Sequence, residues 1–317
     1  MKHALMVGMM GRVADRFHEY QPDRGFRERL ALARKVASAD GVEVVYPTEF
    51  EDRGAAIAAI RDSGLPLSAV NLNVKGEKRW QRGSFTNPDP VTREQAVEEL
   101  KNSMDLAREL EIGMVSCCPL IDGHNYPFEA DYTKQWRWLE DGVAEGVAHR
   151  KDVRLSMEYK LNESRNSNIL GDVGRALYLC ERVGAPNLGV TMDVGHALIA
   201  RETPAEALCL AAMAGKLFYV HFNDNARDWD WDMIPGAINF WDLLETIYYM
   251  RRVGYDGWIS YDVVVRDGEM VDSMETSIKA VKNSEKIVDR IGMENIGAMI
   301  ERGRPDLTMR ELWEALA

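Results

Sequence analysis

Val153-Arg154-Leu155-Ser156-Met157-Glu158-Tyr159-Lys160 is an apolar run that stops on a carboxylate and an ammonium. A buried strand favours Val, Leu and Met, yet this one ends with opposite charges two positions apart. At a period of two, both side chains leave the same face. Three later apolar runs also finish on ligand-type residues: Asp193 with His196 just beyond, His221, and Asp262. The four ends read as the rim of one metal site, so the fold must be one that lines up strand ends.

Working outward, apolar runs that read as strands cover Ala4–Met10, Gly41–Tyr46, Pro66–Asn73, Gly113–Cys118, Val153–Glu158, Leu188–Asp193, Leu217–His221 and Trp258–Tyr261. Helical periodicity fills the intervals, over Phe26–Ala37, Asp52–Asp62, Thr92 to about Leu110, Trp136–Ala148, Gly171–Val183, the segment opened by Thr203-Pro204-Ala205-Glu206, Phe240–Val253, and a last helix to about Ile291. Thr92 with Gln95, and Thr203 with Glu206, read as capping boxes, the second with proline at the first helical position. Strict alternation makes a parallel sheet. Eight units in about 290 residues is the size of a closed (β/α)8 TIM barrel. An open doubly wound sheet is the competing topology, but no GxGxxG follows the first strand, which weakens its dinucleotide-binding form. The expected organisation is a catalytic barrel over residues 1–292 and a C-terminal helical extension over residues 293–317, packed on the barrel or on a neighbouring subunit.

Composition bounds the function. The 317 residues are 46% hydrophobic and 28% charged, which is ordinary for a globular chain. A net charge of −12 argues against nucleic acid, whose phosphates call for Lys/Arg stripes, and suits a protein that gathers cations. Cys117, Cys118, Cys180 and Cys209 match no zinc spacing and read as reduced, mostly buried thiols. The N-terminal run is too short for a secretory signal, and no run approaches membrane length. A cytoplasmic enzyme with no membrane partner is expected, forming a homo-oligomer as such enzymes usually do.

In a barrel of this kind chemistry collects where strands end. Glu158, Asp193, His221 and Asp262 close four successive strands, and carboxylate and imidazole ligands suit Mg or Mn, or borderline Co and Zn. A single strand-end acid is commonly a helix cap or an ion-pair partner. Four at the same point of a repeat are not explained that way. His196 lies three residues past Asp193. In Asp228-Trp229-Asp230-Trp231-Asp232, an extended backbone points Asp230 and Asp232 one way. Two like charges brought together call for a cation between them, and a solvated loop seldom carries two tryptophans.

These residues resemble a known family. Glu158-Tyr159-Lys160-Leu161-Asn162-Glu163-Ser164-Arg165 is similar to the glutamate–lysine signature of xylose isomerase, and Met192-Asp193-Val194-Gly195-His196 to its acid-Val-Gly-His element. Asp230-Trp231-Asp232 resembles its paired aspartates, and Asp262 stands where its last metal carboxylate would be. His221-Phe222-Asn223-Asp224-Asn225 resembles the rhamnose isomerase-type branch of the xylose isomerase-like superfamily, which has His there. The resemblance is specific from Glu158 to Asp262. It implies two divalent ions, one held by Glu158, Asp193, His221 and Asp262, the second by Asp193, His196, Asp230 and Asp232. It also implies that Lys160 donates to the substrate O1, with Glu158 and Asp262 as further catalytic groups.

Substrate contacts are expected from Lys160, His196, Trp229, Trp231 and Asn73. Trp80, Trp136 and Trp138 are further candidates to stack on a sugar, the last two reading better as helix packing. The His–Asp pair that serves ring opening in xylose isomerase has no match at Tyr46-Pro47-Thr48-Glu49; His18 and His124 are the candidate substitutes, each reading better as a surface histidine, which leaves it open that neither serves. The implied activity is isomerisation of an unphosphorylated aldose to its ketose by a hydride shift between C1 and C2. The rivals are a one-metal ketose 3-epimerase with Glu158 and Asp262 as acid and base, and a non-catalytic sugar-binding protein. A three-zinc DNA-repair endonuclease would use more than the six histidines present.

Overall fold

A computed structural model describes residues 1–266 and 268–316. Eight parallel strands close into a barrel: β1 (Lys2–Met6), β2 (Gly41–Tyr46), β3 (Leu67–Leu72), β4 (Met114–Cys117), β5 (Arg154–Glu158), β6 (Leu188–Asp193), β7 (Leu217–Phe222) and β8 (Trp258–Tyr261). β1 pairs with β8 on one side and β2 on the other, so no edge is left unpaired. The open-sheet alternative is thereby excluded. The strands read as apolar runs because both of their faces are covered.

The helices are α1 (Phe26–Ala33), α2 (Arg53–Ser63), α3 (Pro90–Glu109), α4 (Tyr132–His149), α5 (Val173–Val183), α6 (Pro204–Met213), α7 (Phe240–Arg252) and α8 (Met270–Ile291). On α8, Met274, Ile278, Val281 and Val288 are buried at helical spacing against the barrel. Beyond Gly292, with φ of 89°, two further helices span Met293–Arg302 and Pro305–Leu316. The rings of Trp241 on α7 and Trp313 meet edge to face at 5.1 Å, so the tail packs on the barrel's own helices.

Several elements differ from the sequence expectation. β1 stops at Met6, and Val7–Met10 form a tight 3-10 turn. α3 begins at Pro90 under an Asp89 cap, whose carboxylate accepts from Val91 N; the expected cap, Thr92, donates its hydroxyl to Asp89 at 3.1 Å. α4 starts four residues before Trp136, capped by Asp131. Thr203 makes no side-chain cap bond. Two small sheets were not foreseen. Val13–Ala14 pairs with Glu19–Gln21, and Asn166–Asn168 pairs with both Gly123–His124 and Asn162–Glu163.

Unusually polar groups fill the barrel interior below the carboxyl rim. Asn71 donates to Glu43 at 3.1 Å and to Ser116 at 3.0 Å, Ser116 donates to Glu43 at 2.5 Å, and Tyr219 donates to Glu43 at 3.0 Å. The satisfied network forms a polar floor under the strand ends.

Candidate metal centre

Register brings together what sequence separates. Thr191 on β6 lies opposite Glu158 on β5, and Asp193 lies opposite His221 on β7. One ligand atom from each of Glu158, Asp193, His221 and Asp262 falls within 4.8 Å of the others, and all four residues are buried. His221 Nδ1 faces Glu158 Oε1 at 3.6 Å, Asp193 Oδ2 at 3.9 Å and Asp262 Oδ2 at 3.9 Å. It has no hydrogen-bond partner. A fully buried nitrogen facing three carboxylates, none within hydrogen-bonding reach, fits ligand atoms spaced around a shared cation. The donor set of three carboxylates and one imidazole suits a divalent ion of hard or borderline type.

Local chain chemistry holds the cage. Asp193 is the N-cap of a short helix, Val194–Ile199, and its Oδ1 accepts from His196 N at 2.7 Å. That turn brings the His196 ring back over the cage, with Nδ1 3.0 Å from Glu158 Oε1. Asn223, just past β7, links the carboxylates, its Nδ2 reaching Asp193 at 3.1 Å, Asp262 at 3.0 Å and Asp232 at 3.5 Å. Gly195 makes room for it: a Cβ there would stand 2.0 Å from Asn223 Oδ1. Burial, then the repulsion of Asp193, pushes the Asp262 carboxyl well above its usual range. Burial and the repulsion of Asp230 and Asp262 do the same to Asp232. Desolvated like charges of this kind are stabilised by a cation or take up protons.

The second group is looser. His196 Nε2 lies 3.2 Å from Asp230 Oδ2, and Lys160 Nζ lies 2.8 Å from the same oxygen while also pairing with Glu163. Burial opposes the charge on Lys160, but Asp230 and Glu163 outweigh it and hold the ammonium form. Asp230 Oδ1 is buried without a partner. The backbone through this loop is not extended as expected, since Asp232 adopts φ of 47°. Both carboxylates nevertheless turn inward, Asp230 to His196 and Asp232 to Asn223. Trp231 is 53% exposed, its indole N–H donating to Asp228 at 2.9 Å, and Trp229 beside it is half-buried.

Other expected contacts lie elsewhere. Asn73 Oδ1 accepts from Lys75 N and Gly76 N, so its side chain closes its own turn. Trp80 is fully buried beneath Arg79 and offers no face to a sugar. Trp136 meets Tyr178 edge to face, and Trp138 lies under Arg93, both in helix packing. His18 sits on the exposed turn of the first hairpin, and His124 lies against Tyr132 with ring centroids 4.9 Å apart. Among the described residues no ion pair joins either histidine to the cage.

Three residues escaped the sequence reading. Glu43, fully buried, lies 3.2 Å from Nε2 of His221 on the side away from the cage. Asn223 bridges the acids. Cys118, just past β4, has its sulfur within 4.8 Å of ligand atoms of Glu158 and His196. The signal for Glu43 was a lone acid inside the apolar run Gly41–Tyr46. For Cys118 it was its place at a strand end, the same place that singled out Glu158.

Fold and site together define a closed (β/α)8 barrel carrying a carboxylate–imidazole cage at the carboxyl ends of its strands. The chain belongs to the xylose isomerase-like TIM barrel family, whose profile matches residues 30–300. Xylose isomerase of Thermus thermophilus is 26% identical over 210 residues, which are 64% of this chain and 54% of that protein. This match spans about half the length of that relative. Among solved structures, a 3-keto-D-glucoside 4-epimerase from E. coli superposes with a TM-score of 0.69 at 15% identity, over 89% of this chain and 99% of that one. A D-tagatose 3-epimerase-like protein does so with a TM-score of 0.68 at 19% identity, over 91% and 98%. These two likenesses concern the fold. No helix among the described residues is long and apolar enough to cross a membrane.

Proposed function

We propose that this chain is a metal-dependent aldose–ketose isomerase that acts on an unphosphorylated monosaccharide by a hydride shift between C1 and C2. The observation that carries the reading is Lys160: a buried ammonium 2.8 Å from Asp230, beside the cage that starts two residues earlier at Glu158. Glu158, Asp193, His221 and Asp262 would hold one divalent ion. Asp193, His196, Asp230 and Asp232 would hold a second, with Mn, Mg, Co or Zn admitted by the donors. When bound, the ions supply electrophilic polarisation of the sugar's C1 and C2 oxygens.

The remaining work falls to the chain. Hydride transfer leaves charge growing on O1, and a hydrogen-bond donor fixed there in advance lowers the barrier. Lys160 is that donor, held protonated by Asp230 and Glu163. Trp229 and Trp231 present aromatic faces at the mouth to the sugar's C–H side.

A second reading, a ketose 3-epimerase, is supported by the cage itself. Among the described residues only Glu158, Asp193, His221 and Asp262 gather tightly as four, while His196 meets Asp230 and Asp232 turns to Asn223. One ion would then suffice, with Glu158 and Asp262 exchanging the C3 proton. Manganese-loaded protein incubated with a panel of aldoses and ketoses, with products resolved by NMR, separates the two. Lys160→Met is expected to lower isomerisation about 100- to 1000-fold, the usual effect of removing one such donor, with Mn binding retained. Unchanged C1–C2 turnover in that variant overturns the isomerase reading, and product altered only at C3 establishes the epimerase.

A further inference from the structure

We infer that the cleft contains a second, overlapping site for a thiophilic cation, formed by Cys118 Sγ, a Glu158 carboxylate oxygen and an imidazole nitrogen of His196. One ligand atom from each of the three lies within 4.8 Å of the other two, and all three residues are buried. His196 Nδ1 is an independent sign of a missing partner: the ring is only 4% exposed, this nitrogen makes no hydrogen bond, and it points at Glu158 from 3.0 Å. Cys118 is also placed unlike its neighbour. Cys117 packs into the main apolar core, whereas Cys118 is buried but belongs to no apolar cluster. A period of two sends adjacent side chains to opposite faces, and the strand end turns Cys118 toward the cage.

The donor chemistry differs from that of the cage. Three carboxylates and an imidazole admit hard and borderline ions such as Mn, Mg, Co and Zn, while a thiolate beside nitrogen and one carboxylate shifts preference toward Zn and Cd. On binding, an S–metal bond replaces the S–H bond of Cys118 and the proton passes to solvent. The two sites share Glu158, while His196 Nε2 stays 3.2 Å from Asp230. Zinc or cadmium seated there therefore competes with manganese in the cage. This holds for isomerase and epimerase alike, because it concerns ligand atoms and not the reaction.

Cadmium titrated into the chelator-treated full chain is the test. Wild-type protein is expected to develop a thiolate-to-cadmium charge-transfer band that saturates at one equivalent and is lost in Cys118→Ser. Cys117→Ser should keep the band, and Cys118→Ser should still bind manganese, followed by the loss of its free-ion EPR signal. X-ray absorption at the cadmium edge of the wild-type protein needs no variant and should count one sulfur. A wild-type spectrum with no sulfur or with two, or a band that persists at full strength in Cys118→Ser, overturns the assignment.

Discussion

At the scale of single residues, a carboxylate that is not in the cage stands behind one of its imidazoles. A ligating histidine presents one bare nitrogen only if its proton is kept on the other, and a carboxylate at that second nitrogen keeps it there. Glu43 stands at that position, 3.2 Å from His221 Nε2, itself anchored by Ser116, Asn71 and Tyr219. Glu43→Leu is expected to weaken Mn binding about 10- to 100-fold, the usual effect of removing such an outer partner. The nitrogen-15 resonances of His221 should lose the pattern of a proton fixed on Nε2. Glu43→Gln, whose amide oxygen accepts in the same place, should recover most of the affinity. A folded Glu43→Leu protein with undiminished Mn affinity removes this role. All four cage residues were legible because each interrupts an apolar run at its end. Glu43 was not, because the reading looked for strand ends and it lies within a strand, where a buried acid is distinguishable from a solvated one only once its partners are known.

At the scale of elements, the turn after β2 carries a buried acid with a measurable consequence. Glu49, 6% exposed, accepts from Val45 N at 2.7 Å and lies 2.8 Å from Arg29 Nη1. Burial outweighs Arg29 and lifts its pKa from 4.5 to about 7. A carboxyl raised on folding favours the folded state while it is protonated, so its contribution is fully present below 4.5 and is lost as pH rises through 7. Urea unfolding should show Glu49→Gln gaining on the wild-type protein by about 1–3 kcal/mol between roughly pH 5 and pH 8. A stability difference that does not change with pH contradicts this account. The same scale shows what pattern reading resolves. Strands buried on both faces announce themselves, and so do long amphipathic helices. The hairpin at Val13–Gln21, the three-strand sheet around His124 and the helix Val194–Ile199 are too short to show a period. Their existence is decided by turns and tertiary contacts. The caps Asp89 and Asp131 were visible as aspartates ahead of a helix, but Thr92 was the more familiar pattern at the first and apolar periodicity set too late a start at the second.

At the scale of the molecule, a chain of net charge −12 places several of its acids where water cannot screen them. Such acids are a folding liability that a bound cation would offset. Manganese at about 100 times its dissociation constant should stabilise the fold by about 2.7 kcal/mol, if the unfolded chain does not bind it. For a chain of this length that is a rise in Tm of about 4 °C. His221→Ala should abolish the rise, and a chelator should reverse it in the native protein. A melting curve indifferent to manganese would remove the cage as a cation site. One further feature bears on how such a barrel diversifies. Asp224 accepts from Ile238 N, Asn239 N and the Asn239 amide, and its carbonyl accepts from Met233 N, so the segment bearing Asp230 and Asp232 is tied at its neck. A loop drawn shut at its neck can have its contents exchanged while every stave of the barrel stays where it is.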